Sequence, residues 1–178
     1  YKYNREEMYA LFGFVPQDFH LMPKKKKKNI SSTMNEEEID YEKFGAKAVE
    51  LFSEFCDRYG KKLKLYFEPG KFTVADSGCM VVQVNTVKNN KGRLIVGTDS
   101  GFPHLIRPVL YGAYHHVVNL SNPQGEKKLY DVYGNTCESG DCFAMQRELP
   151  EIRIGDYLAI MNAGAYCRSM ASEYNLRP

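Results

Sequence analysis

Beyond Pro69 the sequence takes on strand character and keeps it to the end, and this limits the possible folds more than any other feature. Runs rich in valine, isoleucine and tyrosine occupy 72–87, 93–96, 116–120, 129–133 and 157–161. Such residues suit a pleated, half-buried surface. Asn89-Asn90-Lys91-Gly92 and Asn122-Pro123-Gln124-Gly125 carry the turn chemistry that separates neighbouring strands. No sustained helical periodicity follows residue 72, so 72–178 reads as a C-terminal all-β domain.

Upstream the pattern differs. Phe44, Ala48, Leu51, Phe52, Phe55 and Tyr59 recur at helical spacing, with Asp40 placed to cap the start and Gly60 to end it. Residues 63–67 then alternate like a strand. A helix, a tight turn and a strand predict the end of an α/β barrel of the TIM type over 41–71. The expected class is therefore α+β: a barrel remnant followed by the β domain. Residues 1–40 stay unassigned, with a short helix at 6–12 limited by Pro16 and a solvated linker around the lysine run 24–28.

Composition narrows the function classes. Of 178 residues, 43% are hydrophobic, so a core is affordable, while a net charge of +2 lacks the basic excess of a nucleic-acid binder. The lysine run has no glycine and so does not resemble a phosphate cradle. The five cysteines include no CxxC pair, which argues for reduced thiols rather than a disulfide framework or a zinc site. No apolar stretch is long enough for a bilayer, and the polar start lacks an initiator methionine and any secretory pattern. These features predict a cytoplasmic protein with no membrane, nucleic-acid or metal partner, read as part of a longer chain.

Four places carry possible chemistry. Glu68-Pro69-Gly70 follows the expected strand, where barrel enzymes put working residues; its plain reading is a surface carboxylate before a turn. Arg107 and Tyr111, four apart with Pro108 starting a helical turn, present a guanidinium and a phenol to one side. That pair suits a carboxylate or phosphate, or is a structural ion pair with a tyrosine packed over it. His115 and His116, being adjacent in a strand, face opposite ways and do not share a metal. Cys137-Glu138-Ser139-Gly140-Asp141 sets a thiol among carboxylates, which favour its protonated form and suit it to donate a proton rather than attack as a nucleophile. The alternative is an ordinary loop cysteine. Ala163-Gly164-Ala165-Tyr166 leaves room around Tyr166, or is only a tight turn.

Taken in order, EPG at 68–70, DSG at 99–101, IRPVLYGAYH at 106–115, CESGD at 137–141, ELPEIRIGD at 148–156 and NAGAYCRSMASEYNLRP at 162–178 resemble the diaminopimelate decarboxylases. These are fold-type III enzymes dependent on pyridoxal 5′-phosphate, with a cofactor-bearing barrel and a C-terminal β domain. The likeness covers 41–178. It implies decarboxylation of meso-diaminopimelate to L-lysine in the full-length enzyme. Glu68 would hold the pyridine nitrogen, with Gly70 near the cofactor and Lys71 near the substrate. Arg107 and Tyr111 would bind a substrate carboxylate, Cys137 would reprotonate the carbanion, Glu138 would meet the distal amino group, and Tyr166 would contact cofactor and substrate. The resemblance also implies a homodimer whose CESGD loop reaches the neighbouring subunit's site.

Two departures matter. The family usually has arginine where this chain has Lys71, which keeps the charge but loses the planar fork. The Schiff-base lysine, the barrel histidine and the glycine-rich phosphate loop have no match, and 24–28 does not replace them, so the segment alone is expected to be inactive. A sister decarboxylase for ornithine, arginine or carboxynorspermidine, and a non-catalytic dimerising homologue, are the competing readings.

Overall fold

The structure, a computed structural model, describes residues 40–176, which fall into two units divided at Pro69/Gly70. The helix expected at 6–12 and the lysine run lie outside the described residues.

In the first unit, helix α1 spans Tyr41–Tyr59. Its ends are chemical: Asp40 accepts a hydrogen bond from the Lys43 amide at 2.9 Å, and Gly60 closes the helix at φ 75°. The apolar stripe brings Phe52, Phe55 and Tyr59 into stacked contact, with ring centroids 6.3 and 5.6 Å apart. No α1 residue is fully buried. The strand expected at 63–67 does not form; the segment is irregular and exposed. Alternation alone does not make a strand, because the backbone groups need a ladder partner, and no described strand pairs with this one. Of the expected helix, turn and strand, the helix and its Gly60 turn form.

The second unit is a six-stranded mixed sheet built from β1 (Met80–Asn90), β2 (Arg93–Thr98), β3 (Val117–Asn119), β4 (Lys127–Tyr133), β5 (Cys142–Pro150) and β6 (Tyr157–Ile160). Their order is β3-β6-β1-β2-β4-β5. Asn119 at the end of β3 donates to the Glu151 carbonyl, just past β5, at 2.9 Å. The two edge strands thus approach each other and the sheet is nearly closed, which protects edges that would otherwise invite mispairing. Val82 and Val84 of β1 point inward with Val96, Val132, Leu158 and Ile160 to form the core, while Val81 points out. The β1–β2 hairpin turns on Lys91 and Gly92, at φ 51° and 89°, with Asn89 Oδ1 accepting from the Gly92 amide. That is the primed turn that matches strand twist.

Two expectations need correction. Residues 72–79 are not strand: Gly70–Val74 form a helical turn, α2, followed by a 3-10 turn at Ala75–Ser77. Their side chains suit a sheet, but Thr73 and Ser77 hydroxyls bond back to the carbonyls of Gly70 and Val74, at 2.8 and 2.7 Å, and stabilise the turns instead. Strand β5 was absent from the sequence reading. Its burial does not alternate, since Cys142, Phe143 and Ala144 are all buried, and Gln146 adopts φ 49° where pairing with β4 shifts register.

β2 and β4 are the parallel pair; every other pair is antiparallel. Their C-terminal ends therefore lie side by side, with Gly97 opposite Tyr133. The loops that leave them, one starting at Asp99 and the other at Gly134, emerge at the same rim. This arrangement positions the site.

Candidate functional site

Asp141 joins the two loops. It is 2% exposed, and its carboxylate accepts from the Phe102 amide at 2.7 Å and from the Thr136 amide and hydroxyl at 2.9 and 2.8 Å. Its backbone closes the loop by accepting from the Gly134 amide at 2.9 Å. Glycine is required around it: a Cβ on Gly134 would coincide with the carboxylate, and one on Gly101 would sit 2.7 Å from Oδ2. The DSG and CESGD motifs are thus two halves of one structure. The sequence reading gave Asp141 no separate role. The available signal was an acid set directly before a run of apolar residues.

Arg107 opens helix α3 (Arg107–Tyr111), with Pro108 in the first turn and Gly112 ending it at φ 63°. The arginine is fully buried. Its guanidinium carbon lies 5.4 Å from the Tyr111 ring centroid and 5.6 Å from that of Tyr166. Rings at this distance stabilise a cation by their quadrupoles and hold the guanidinium plane. The structure therefore brings together three of the residues singled out from sequence. Tyr166 is half-buried and sits at φ 58°, a backbone region that bulky side chains rarely occupy. Its loop is held against the 3-10 turn: the Gly164 amide donates to Ala75 O and the Ala163 amide to Gly78 O, both at 2.9 Å. A Cβ on Gly164 would overlap the Val74 carbonyl, so only glycine permits this approach.

The CESGD loop lies against α3, since the nearest atom to a Cβ on Gly140 would be Val109 Cγ1 at 3.6 Å. Cys137 and Glu138 are exposed. Cys137 Sγ accepts from Asn175 Nδ2 at 3.5 Å, and Glu138 Oε1 accepts from the Ser139 hydroxyl at 3.4 Å. Lys71 is half-buried in α2, and Gly70 begins that turn. Glu68 lies exposed in the first unit, after an irregular segment rather than the expected strand. His115 is buried, with Nδ1 2.8 Å from Met161 O, whereas His116 is exposed; both precede β3 rather than lying in a strand. Among the described residues, no cluster of three metal-ligating side chains occurs and no helix is long and apolar enough to cross a membrane.

The thiols divide by environment. Burial pushes the Cys142 thiol up to about 11, helped by the nearby Asp131 and Asp141 charges, and burial also raises Cys167. Alkylation by iodoacetamide at pH 8, followed by peptide mass spectrometry, should mark exposed Cys79 and Cys137 first. Cys142 should react at least about 100-fold more slowly. Equal labelling of Cys137 and Cys142 would contradict the burial described.

A family model for the pyridoxal-dependent decarboxylase C-terminal sheet domain matches residues 30–164. The chain belongs to this family. Among curated proteins it is 46% identical over 151 residues to a diaminopimelate decarboxylase of Methanothermobacter thermautotrophicus, covering 84% of this chain and 35% of that protein. It is 37% identical over 163 residues to that of Escherichia coli K12, covering 84% and 39%. The chain thus spans little more than a third of the length of these relatives. Among solved structures, the Helicobacter pylori diaminopimelate decarboxylase complexed with L-lysine aligns with a TM-score of 0.63 and 37% identity, over 83% of this chain and 35% of that one. A lysine/ornithine decarboxylase of Vibrio vulnificus complexed with cadaverine is more distant within the family, at TM-score 0.55 and 26% identity, over 61% and 30%.

The family implies pyridoxal phosphate. In the second unit, Tyr166 offers a phenol beside the buried Arg107 cation, a pair of a kind that fits this group.

Proposed function

We propose that this chain forms part of a decarboxylase that converts meso-diaminopimelate to L-lysine, and that it supplies substrate contacts and the proton donor. The observation that best supports this reading is the buried Arg107 held between Tyr111 and Tyr166, next to the loop that bears Cys137. The relatives at 37–46% identity are diaminopimelate decarboxylases, which points to the same substrate.

Pyridoxal phosphate, when bound, supplies an electron sink for the pair left behind as carbon dioxide departs. Glu68 would hold the ring nitrogen in its protonated form, with Gly70 and Tyr166 against the cofactor. Arg107 would bind a substrate carboxylate through its planar fork, with Tyr111 and Tyr166 beside it and Lys71 near the substrate. Glu138 would meet the distal ammonium. Cys137 would then deliver its S–H proton to the α-carbon: the S–H bond breaks, a C–H bond forms, and the electron pair stays on sulfur. Since Cys137 and Glu138 are exposed in this chain, their action across a homodimer interface is part of the proposal.

The experiment is turnover of the complete enzyme that carries this domain. Cys137→Ala should lower kcat for meso-diaminopimelate on the order of 100-fold. Unchanged kcat would remove Cys137 from the mechanism. Strong turnover of ornithine with none of diaminopimelate would instead favour the sister decarboxylases. Lys71, in place of the usual arginine, is the feature of this chain that keeps that second reading in play.

A further inference from the structure

We infer that Asn175 is a positioning residue for the Cys137 thiol, carried by a C-terminal tail that is clamped onto the loop after β2. The inference rests on the proposed role of Cys137 as proton donor, but the contact itself does not depend on it. Asn175 Nδ2 donates to Cys137 Sγ at 3.5 Å, across 38 positions of sequence. Sequence reasoning assigned Asn175 nothing.

The tail is held in place by two contacts that do not involve the cysteine. Tyr174 packs on Phe102 with ring centroids 5.0 Å apart and planes tilted by 51°. The Ser172 amide donates to Pro103 O at 2.9 Å. Phe102 is the residue whose own amide is bound by Asp141, so tail, DSG loop and CESGD loop share one anchor. Asn175 itself sits at φ 57°, and the Leu176 amide closes the turn onto Glu173 O at 2.8 Å. Asparagine tolerates that backbone region better than most residues, and its short side chain then reaches back to the loop. An arbitrary surface asparagine would not need a specific left-handed backbone and an aromatic clamp one residue away.

The chemistry follows from which atom donates. An amide N–H directed at sulfur occupies one of its lone-pair directions, so the S–H proton is left to point elsewhere. Once the proton has been given up, the same N–H stabilises the sulfur anion that remains.

The test uses two variants that keep the backbone. Asn175→Gly accepts a positive φ and deletes the amide; Asn175→Asp keeps the shape but replaces the donor with a carboxylate. In the full chain, Cys137 alkylation by iodoacetamide at pH 7 is followed by mass spectrometry, with exposed Cys79 as internal reference. The rate should fall about 3-fold in Asn175→Gly, which deletes the N–H that stabilises negative charge developing on sulfur, and about 10-fold in Asn175→Asp, which sets a carboxylate against it. Hydrogen exchange at the Ser172 amide should remain at the wild-type level, which shows that the tail is still docked. Unchanged Cys137 labelling in both variants, with Ser172 still protected, overturns the inference. Slower labelling of Cys79 and Cys137 alike overturns it too, because the effect would then not be local. In the complete enzyme, Asn175→Gly should lower kcat with little change in KM. If Cys137→Ala leaves turnover intact while the labelling result holds, the donor role fails and the contact between Asn175 and the thiol stands.

Discussion

On the proposed decarboxylase function, replacing Arg107 by alanine in the complete enzyme should lower kcat/KM for meso-diaminopimelate about 10³-fold, the usual scale for removing one partner of a desolvated charge pair. The reason lies in how the guanidinium is held. It is fully buried at the start of a short helix, and two tyrosine rings flank it. A cation kept out of water in this way binds a carboxylate far more strongly than a surface arginine does. Arg107→Lys keeps the charge but loses the bidentate fork, and should cost about 10²-fold. Removing Arg107 also leaves a gap between the rings, so thermal unfolding must be followed alongside turnover. A variant that stays folded and cofactor-loaded yet turns over within threefold of wild type would make Arg107 a packing residue only.

Asp141→Ala should destabilise the sheet unit by about 3–5 kcal/mol, because three half-buried donors lose their shared carboxylate acceptor at once. For a unit of this size that shifts the thermal midpoint down by roughly 10–20 °C. Asp141→Asn is the sharper probe. It preserves volume but turns an amide group toward donors that now meet a donor, and should cost about 2 kcal/mol. Urea unfolding followed by the tyrosine near-ultraviolet signal measures both. A midpoint for Asp141→Ala equal to wild type would mean that solvent replaces the carboxylate and that the loops are held together by something else.

Much of this architecture was legible where local chemistry decides the outcome. The α1 boundaries followed from Asp40 and Gly60, the hairpin from Asn89 to Gly92, and the α3 turn from Pro108. Arg107, Tyr111 and Tyr166 were named from sequence, and the fold brings them together. What failed depends on partners far along the chain. Residues 63–67 alternate correctly but lack a ladder, 72–77 have sheet-like side chains yet satisfy their backbones in turns, and β5 hides its character behind a bulge. Asp141 and Asn175 escaped for the same reason. Each acts on a loop more than 30 residues away, and no local spacing encodes such a contact.

The parallel pairing of β2 and β4 has a consequence for how such a domain can diversify. Both loops are mounted on neighbouring strand ends and joined to each other by the Asp141 carboxylate and by Asn135, whose Nδ2 donates to Asp99 O at 2.6 Å. A library that randomises one loop alone must keep the grip of Asp141 on the other, and most of its members would lose it. Exchanging the two loops together, as one cassette, carries the clasp along and leaves the sheet beneath untouched. New substrate preferences on this scaffold are therefore reached more readily by paired transplantation than by point changes in either loop.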